Sequence, residues 1–319
     1  MTQAAPALTQ LDRIFCGILS RELVCALGCT EPIAVAYAAA LARETLGDEP
    51  TSLEVACSGN IIKNVKSVTV PNSGGMTGIE AAATLGAVDG NAESSLEVLE
   101  SVTTEHLAHA QVGQTLMQAN GTTTATRARA RAAAGSDARM NGCATPVVIV
   151  CGSGNQGITT CLPVVEYAKK LGESHDRPLC AVALSDLTAI HVKRHIGALS
   201  AFCGVVCAAC GAGAAITWMS GGTPEQVGAT IVNTLGNVGG IVCDGAKASC
   251  AAKISAAVDA AVLGHQMAMA GRGFHAGESL VQGTVKDTIA SMGYVGRVGM
   301  AATDVKILNI MIGKTDVTC

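Results

Sequence analysis

Along most of this chain the apolar residues recur every three or four positions, the repeat that keeps one face of an α-helix dry. Thr9 can cap a helix running through "LDRIFCGILSRELVCAL", with Leu11, Phe15, Ile18 and Leu19 at helical spacing and Gly28 as its stop. In "CTEP", Thr30 is an N-cap and Pro32 falls near the first turn of a helix carrying "IAVAYAAALARETLG". "TSLEVACSG" alternates instead and reads as a short strand. After the turn-rich "VPNSGGMTG", helices are expected over "IEAAATLGAV" and "ESSLEVLESVTTEHLAHAQ". "TPVVIVCGSGNQG" is an apolar run ending in a Gly-rich loop. Helical period then returns in "LPVVEYAKKLG", "LCAVALSDLTAIHVKRHIG" and "LSAFCGVVCAACGAG", and again in "TPEQVGATIVNTLGNVGGIVC", "ASCAAKISAAVDAAVLGHQMAMAG" and "SLVQGTVKDTIASMG". No internal repeat or Pro/Ser linker divides residues 1–319, which read as one domain. The expected fold is mainly α: a compact bundle of Ala/Gly-rich helices around a buried central helix, with a minor short-strand component.

Composition sharpens that picture. With 37 glycines and only 2% aromatic residues, small side chains must do the packing, which lets helix backbones approach closely. Ile196 to Thr223 carries no charge and is long enough to span a membrane. Its residues are mostly Gly, Ala, Cys and Ser, without the Leu, Ile and Phe that drive insertion or a flanking aromatic belt. A helix buried on all sides has the same signature, and burial is the reading adopted. The net charge of −4 gives no field that attracts nucleic acid or anionic lipid. "MTQAAPALTQLDRIF" lacks the basic and apolar regions of a secretion signal, so a cytoplasmic location is expected. Fourteen cysteines there point to thiolate chemistry or metal ligation rather than a disulfide framework. In the low-complexity "NGTTTATRARARAAAGSDARMNG", Arg127, Arg129 and Arg131 spread around a helix and read as a solvated face.

Several familiar chemistries are missing. "GSGNQG" offers backbone N–H groups and two amides at a helix mouth, which suits a carboxylate or phosphate. It lacks the context of a dinucleotide fingerprint and the lysine of a P-loop. There is no HExxH and no GxSxG, and His191 and His195 share a helix face without a visible third ligand. The cysteines are the richest signal. Cys243 and Cys250 in "GIVCDGAKASCAAK" flank a Gly-containing turn that can direct two sulfurs at one point, the topology a cluster or metal requires. Cys203, Cys207 and Cys210 have a C-x3-C-x2-C spacing reminiscent of radical-SAM enzymes, but they fall on a helix and nothing resembles a (β/α) barrel. A rigid helix can point one of these thiols at a shared site; it cannot easily wrap three around one cluster.

The blocks "LGCTEPIAVAYAAA", "SGNIIKN", "TVPNSGGMTG", "GSDARMNG", "GSGNQGI", "LSAFC" and "GIVCDGAKASCAAK" together resemble the L-cysteine desulfidase family, a group related to the α chain of iron–sulfur L-serine dehydratases. The blocks occur in family order over nearly the whole chain. The resemblance implies a [4Fe-4S] lyase that eliminates sulfide from L-cysteine, giving pyruvate and ammonia through an aminoacrylate. It puts the cluster ligands at Cys203, Cys243 and Cys250, leaving one iron open as a Lewis acid. Cys29 becomes a further active-site thiol, and the dipole of the following helix is expected to favour its thiolate; Glu31 is either its partner or a first-turn acid favoured by the same dipole. The alternatives for Cys29 are a fourth ligand or a packed thiol. Substrate contacts would come from Asn60, Lys63 and Asn64, from Ser136 and Arg139, and from Asn155 and Gln156. Lys63 or Arg139 would take the carboxylate. Cys207 and Cys210 become packing residues.

One departure stands out. Family members carry a substantial middle segment before "SDAR", whereas this chain holds only "GQTLMQANGTTTATRARARAAA", a shortened junction at 110–135. The terminal Cys319 either reaches the open iron or is a frayed end. A small amino acid and a second copy of the chain are the expected partners, with no nucleic acid and no membrane. L-serine dehydratase chemistry with the same cluster is the nearest alternative function. A non-catalytic iron–sulfur sensor or binding protein is a second.

Overall fold

Helix α1 (Gln10–Glu22) begins where the local chemistry directs: Thr9 Oγ1 accepts from the Asp12 N–H at 3.2 Å, and the Asp12 carboxylate reaches back to close a capping box. It stops well short of Gly28. "VCAL" becomes β1 (Val24–Leu27), which pairs antiparallel with β2 (Pro146–Ile149), Val24 opposite Ile149. The β-branched residues on both sides favour extended backbone once a partner is available. This pair is the one sheet among the described residues. The computed structural model describes residues 8–99, 111–143, 145–174 and 176–315. Cys319 therefore lies outside the described residues.

The first half builds a small core. Helices α2 (Thr30–Leu46), α3 (Gly59–Val65) and α4 (Gly78–Asp89) enclose Ile33, Ala36, Val65 and Ala83. Cys29, not Thr30, occupies the N-cap of α2. "TSLEVACSG" forms no strand; among the described residues no neighbouring strand is there to pair with its exposed backbone. Ala92–Glu97 is a 3₁₀ turn broken at Ser95 instead of a long helix, and the expected helix runs on into residues 100–110, outside the described set.

The larger core follows. Helices α5 (Gln111–Asn120) and α6 (Thr124–Met140) fill the low-complexity interval. The arginines of α6 are not a free solvated face. Arg127 and Arg131 converge on the buried Glu166 at 3.1 and 2.9 Å, and Arg129 pairs with Asp259 at 2.9 Å. Next come α7 (Gly154–Leu171), α8 (Asp176–Ile196), α9 (Gly204–Met219), α10 (Pro224–Val238) and α11 (Cys250–Met269). Helix α12 (Val285–Tyr294) leads through a π turn into α13 (Ala301–Met311), a helix the sequence pattern did not reveal.

Helix α9 is the buried centre, packed by α7, α8, α10 and α11. All its residues except Gly204 and Trp218 are buried. Small residues make this possible: a Cβ at Gly211 would lie 2.2 Å from the Ser185 carbonyl oxygen of α8, so only glycine permits that backbone approach. Cys207 and Cys210 sit wholly inside this core, as packing residues. Among the described residues no helix is long and apolar enough to cross a membrane.

Candidate functional site

A short backbone exchange brings distant cysteines together. The Cys203 N–H donates to the Ile241 carbonyl at 3.0 Å, and the Cys243 N–H donates to the Ala201 carbonyl at 2.6 Å. This bridge sets Cys203, the N-cap residue of α9, beside Cys243. The chain then folds over α3 at Gly245. Its φ of +95° and its distance from the Lys63 carbonyl, where a Cβ would come within 2.4 Å, both demand glycine. Asp244 staples the loop through Lys253 and, at 3.4 Å, Lys247; Lys253 also donates to the Val242 carbonyl at 3.0 Å. Cys250 opens α11.

All three cysteines line one cavity of ≈ 110 Å³. Glu31, Lys63, Asn64, Asn155 and Gln156 share its walls. Five of the nine predicted binding and catalytic positions outside the cysteine trio therefore meet there. Cys203 and Cys243 share a hydrogen bond. Donating that proton pushes the Cys203 thiol up, with burial adding to the effect. Accepting it holds Cys243 below the ordinary thiol range, helped by a Gly245 backbone contact and the charges of Lys63 and Lys253 against the cost of burial. Burial raises Cys250.

Beside this wall, Glu31 is held from two directions. Cys29 Sγ donates to Glu31 Oε2 at 3.3 Å, and Asn64 Nδ2 donates to Oε1 at 3.2 Å. The expected Cys29 thiolate is not what the environment favours. Full burial pushes its thiol well above the ordinary range, the Glu31 charge pushes the same way, and Arg139 offsets only part of this. The helix dipole cannot replace the lost hydration.

Four predicted positions stand outside the cavity wall, Cys29 among them. Asn60 is half-buried on α3, while Ser136 is fully buried with an unpartnered Oγ. Arg139 spends its fork inside the protein: Nε donates to the Gly28 carbonyl at 3.0 Å, Nη2 reaches the same oxygen, and Nη1 donates to Asn155 Oδ1 at 2.7 Å. It thus ties the turn before Cys29 to the first turn of α7. Lys63 lines the cavity but is ion-paired with Asp304 of α13. Sequence reasoning missed Asp304 and also Lys193, which lines the cavity from α8. Lys193 was legible in principle: it falls among Ala189, Ile190, Val192 and Ile196, a lysine on a buried face.

Fold and cavity together define a helical protein with one cavity walled by cysteines and polar residues, several of them in the first turns of helices. The chain belongs to the serine dehydratase α-chain family, whose sequence profile matches residues 75–309. A UPF0597 protein of Desulfitobacterium hafniense is 37% identical, covering 94% of this chain and 96% of the relative. UPF0597 proteins of Lachnoclostridium phytofermentans and Finegoldia magna are 38% and 36% identical, covering 92% and 93% of this chain and 98% and 99% of themselves. The alignment with the Desulfitobacterium protein runs over 415 positions against the 319 residues of this chain, so that relative carries residues with no counterpart here.

Proposed function

We propose that this protein is an iron–sulfur-dependent β-eliminating lyase acting on L-cysteine. The observation that carries the reading is the meeting of Cys203, Cys243 and Cys250 with Glu31 in one cavity. The donor set fits such a group: three soft sulfurs with no imidazole among them suit an iron–sulfur cluster rather than a hard cation. Among the described residues no group of three or more His, Cys, Asp or Glu side chains is arranged to hold a metal ion, so this reading rests on the donor set and the shared cavity. Cys203, Cys243 and Cys250 would hold the cluster, which supplies a Lewis-acidic iron to the substrate.

The chain's own groups do the rest. Glu31, aimed by Asn64 and by the Cys29 thiol, takes the α-proton. Loss of that proton and of the β-sulfur as sulfide leaves aminoacrylate, which water converts to pyruvate and ammonia. Arg139 acts through Asn155 and Gly28, holding two sides of the cavity in register. Abundant free thiols call for a reducing compartment such as the cytoplasm.

Membership of the serine dehydratase α-chain family favours a second reading, L-serine as substrate with hydroxide leaving in place of sulfide. Anaerobic purification with an iron and sulfide count, followed by pyruvate and sulfide release from L-cysteine and pyruvate release from L-serine, tests both. Folded protein that takes up no iron overturns the central claim.

A further inference from the structure

One cation in the cavity wall has no direct partner among the described residues. Lys193 is 6% exposed and lines the wall from α8. Among the described residues no hydrogen bond or ion pair engages its ammonium, in contrast to Lys63 and Arg139. Lys63 is satisfied by Asp304, and the Arg139 fork is consumed by Gly28 and Asn155. A buried, unpaired ammonium is costly, and such a cost persists where a ligand removes it. Gly204 and Val205, in the first turn of α9, line the same cavity, so the positive end of the most buried helix faces it too.

A second observation fixes the opposite polarity. Gln156 and Asn64 are 4% and 6% exposed, and Gln156 Oε1 and Asn64 Oδ1 are buried with no hydrogen-bond partner. Both residues line the cavity. These are acceptors awaiting a donor. The cavity therefore presents an unpaired cation and two unpaired acceptors, complementary to a ligand carrying one carboxylate and one ammonium.

We infer that Lys193 anchors the carboxylate of an α-amino acid substrate, while Gln156 Oε1 and Asn64 Oδ1 receive its ammonium. The inference rests on the lyase reading and deepens it. It moves the carboxylate from Lys63 or Arg139, where the sequence alone put it, to a residue the motifs do not mark. Held in this way, the α-carbon lies between the two poles, with the Glu31 carboxylate in the same wall.

The test uses iron-loaded full-length protein under anaerobic conditions. Calorimetric titration compares L-serine and L-cysteine with ethanolamine and cysteamine, the same molecules without the carboxylate. Wild type should prefer each amino acid over its amine. K193M and K193Q should lose that preference by roughly ten- to hundredfold, the worth of a charge-assisted hydrogen bond in a water-poor site. Their affinity for the amines should not change, and KM should rise more than kcat falls. K193R, which restores the cation, should regain part of the preference; a variant harmed only in folding would not show this rescue. If K193M or K193Q discriminates against the amines as strongly as wild type, the inference fails and the lyase reading stands. If wild type itself neither binds nor turns over either amino acid, both fail.

Discussion

A cysteine at a helix N-terminus gains from the dipole only while its thiolate keeps some hydration or finds a cation. Cys29 caps α2 but is 1% exposed, and its nearest charge is the Glu31 carboxylate. Its thiol is accordingly a donor that aims Glu31, and a hydroxyl can do the same. Cys29→Ser should keep most of the turnover, Cys29→Ala should lower kcat about tenfold, and Glu31→Gln should lower it by roughly 10²–10⁴. Steady-state kinetics with matched iron content separates these outcomes; loss of activity in Cys29→Ser would restore a thiolate or ligand role. Asp186 shows the same principle in a stability measurement. Burial raises its carboxyl to about 6, against the cost-relieving contact from Thr160, and its Oδ1 has no partner. A raised folded-state value means the stabilising contribution is full below the unfolded value near 3.8 and is lost as pH rises through about 6. Urea unfolding should thus show stability falling between pH 4 and 6, by up to about 3 kcal/mol at ~1.4 kcal/mol per unit. Asp186→Asn should flatten that slope and be more stable than wild type at pH 7.

At the scale of elements, what was readable was local. Caps such as Thr9 with Asp12, the helical period of α7 to α12, and the all-round apolarity of α9 need only a few neighbouring residues to specify them. What failed was pairing over distance. The pattern runs α1 through β1 because the partner strand, β2, lies more than a hundred residues away; "TSLEVACSG" alternates like a strand although no partner exists among the described residues. The cysteine set came from motif resemblance, yet the bridge between 201–203 and 241–243 that assembles it is visible only in three dimensions. The ion pair between Lys63 of α3 and Asp304 of α13 is the sharpest case. It buries Lys63 to 3% exposure and pins the last described helix against the cavity wall. Asp304→Ala leaves that ammonium unpaired and should cost about 3–5 kcal/mol in chemical unfolding. The double variant Lys63→Met with Asp304→Leu removes both charges and should recover most of the loss. Equal destabilisation in single and double variants would show that α13 is held by other contacts.

Across the whole molecule, α7 and α9 bring their N-terminal residues to the cavity and α11 adds Cys250, its first residue. The first half of the chain closes the other side with Glu31, Lys63 and Asn64. A group bound by Cys203, Cys243 and Cys250 would cross-link α9, the 241–245 loop and α11, which otherwise meet through short backbone bridges, the Asp244–Lys253 ion pair and packing. Binding that occurs only in the folded state adds to folding stability. Chelation of iron from anaerobically loaded protein should therefore lower Tm, by on the order of 2–3 °C for one to two kcal/mol of lost linkage. The effect must follow the ligand set. Cys203→Ala, Cys243→Ala and Cys250→Ala should each lose bound iron and show no further Tm drop on chelation. Cys207→Ala and Cys210→Ala, which change only the α9 core, should keep their iron and the chelation-induced drop, even if their starting Tm is lower. Iron retained at wild-type stoichiometry in Cys203→Ala, or lost in Cys207→Ala, would show that the first cysteine of "CGVVCAAC" had been misassigned, and would move the cluster site into the core of α9.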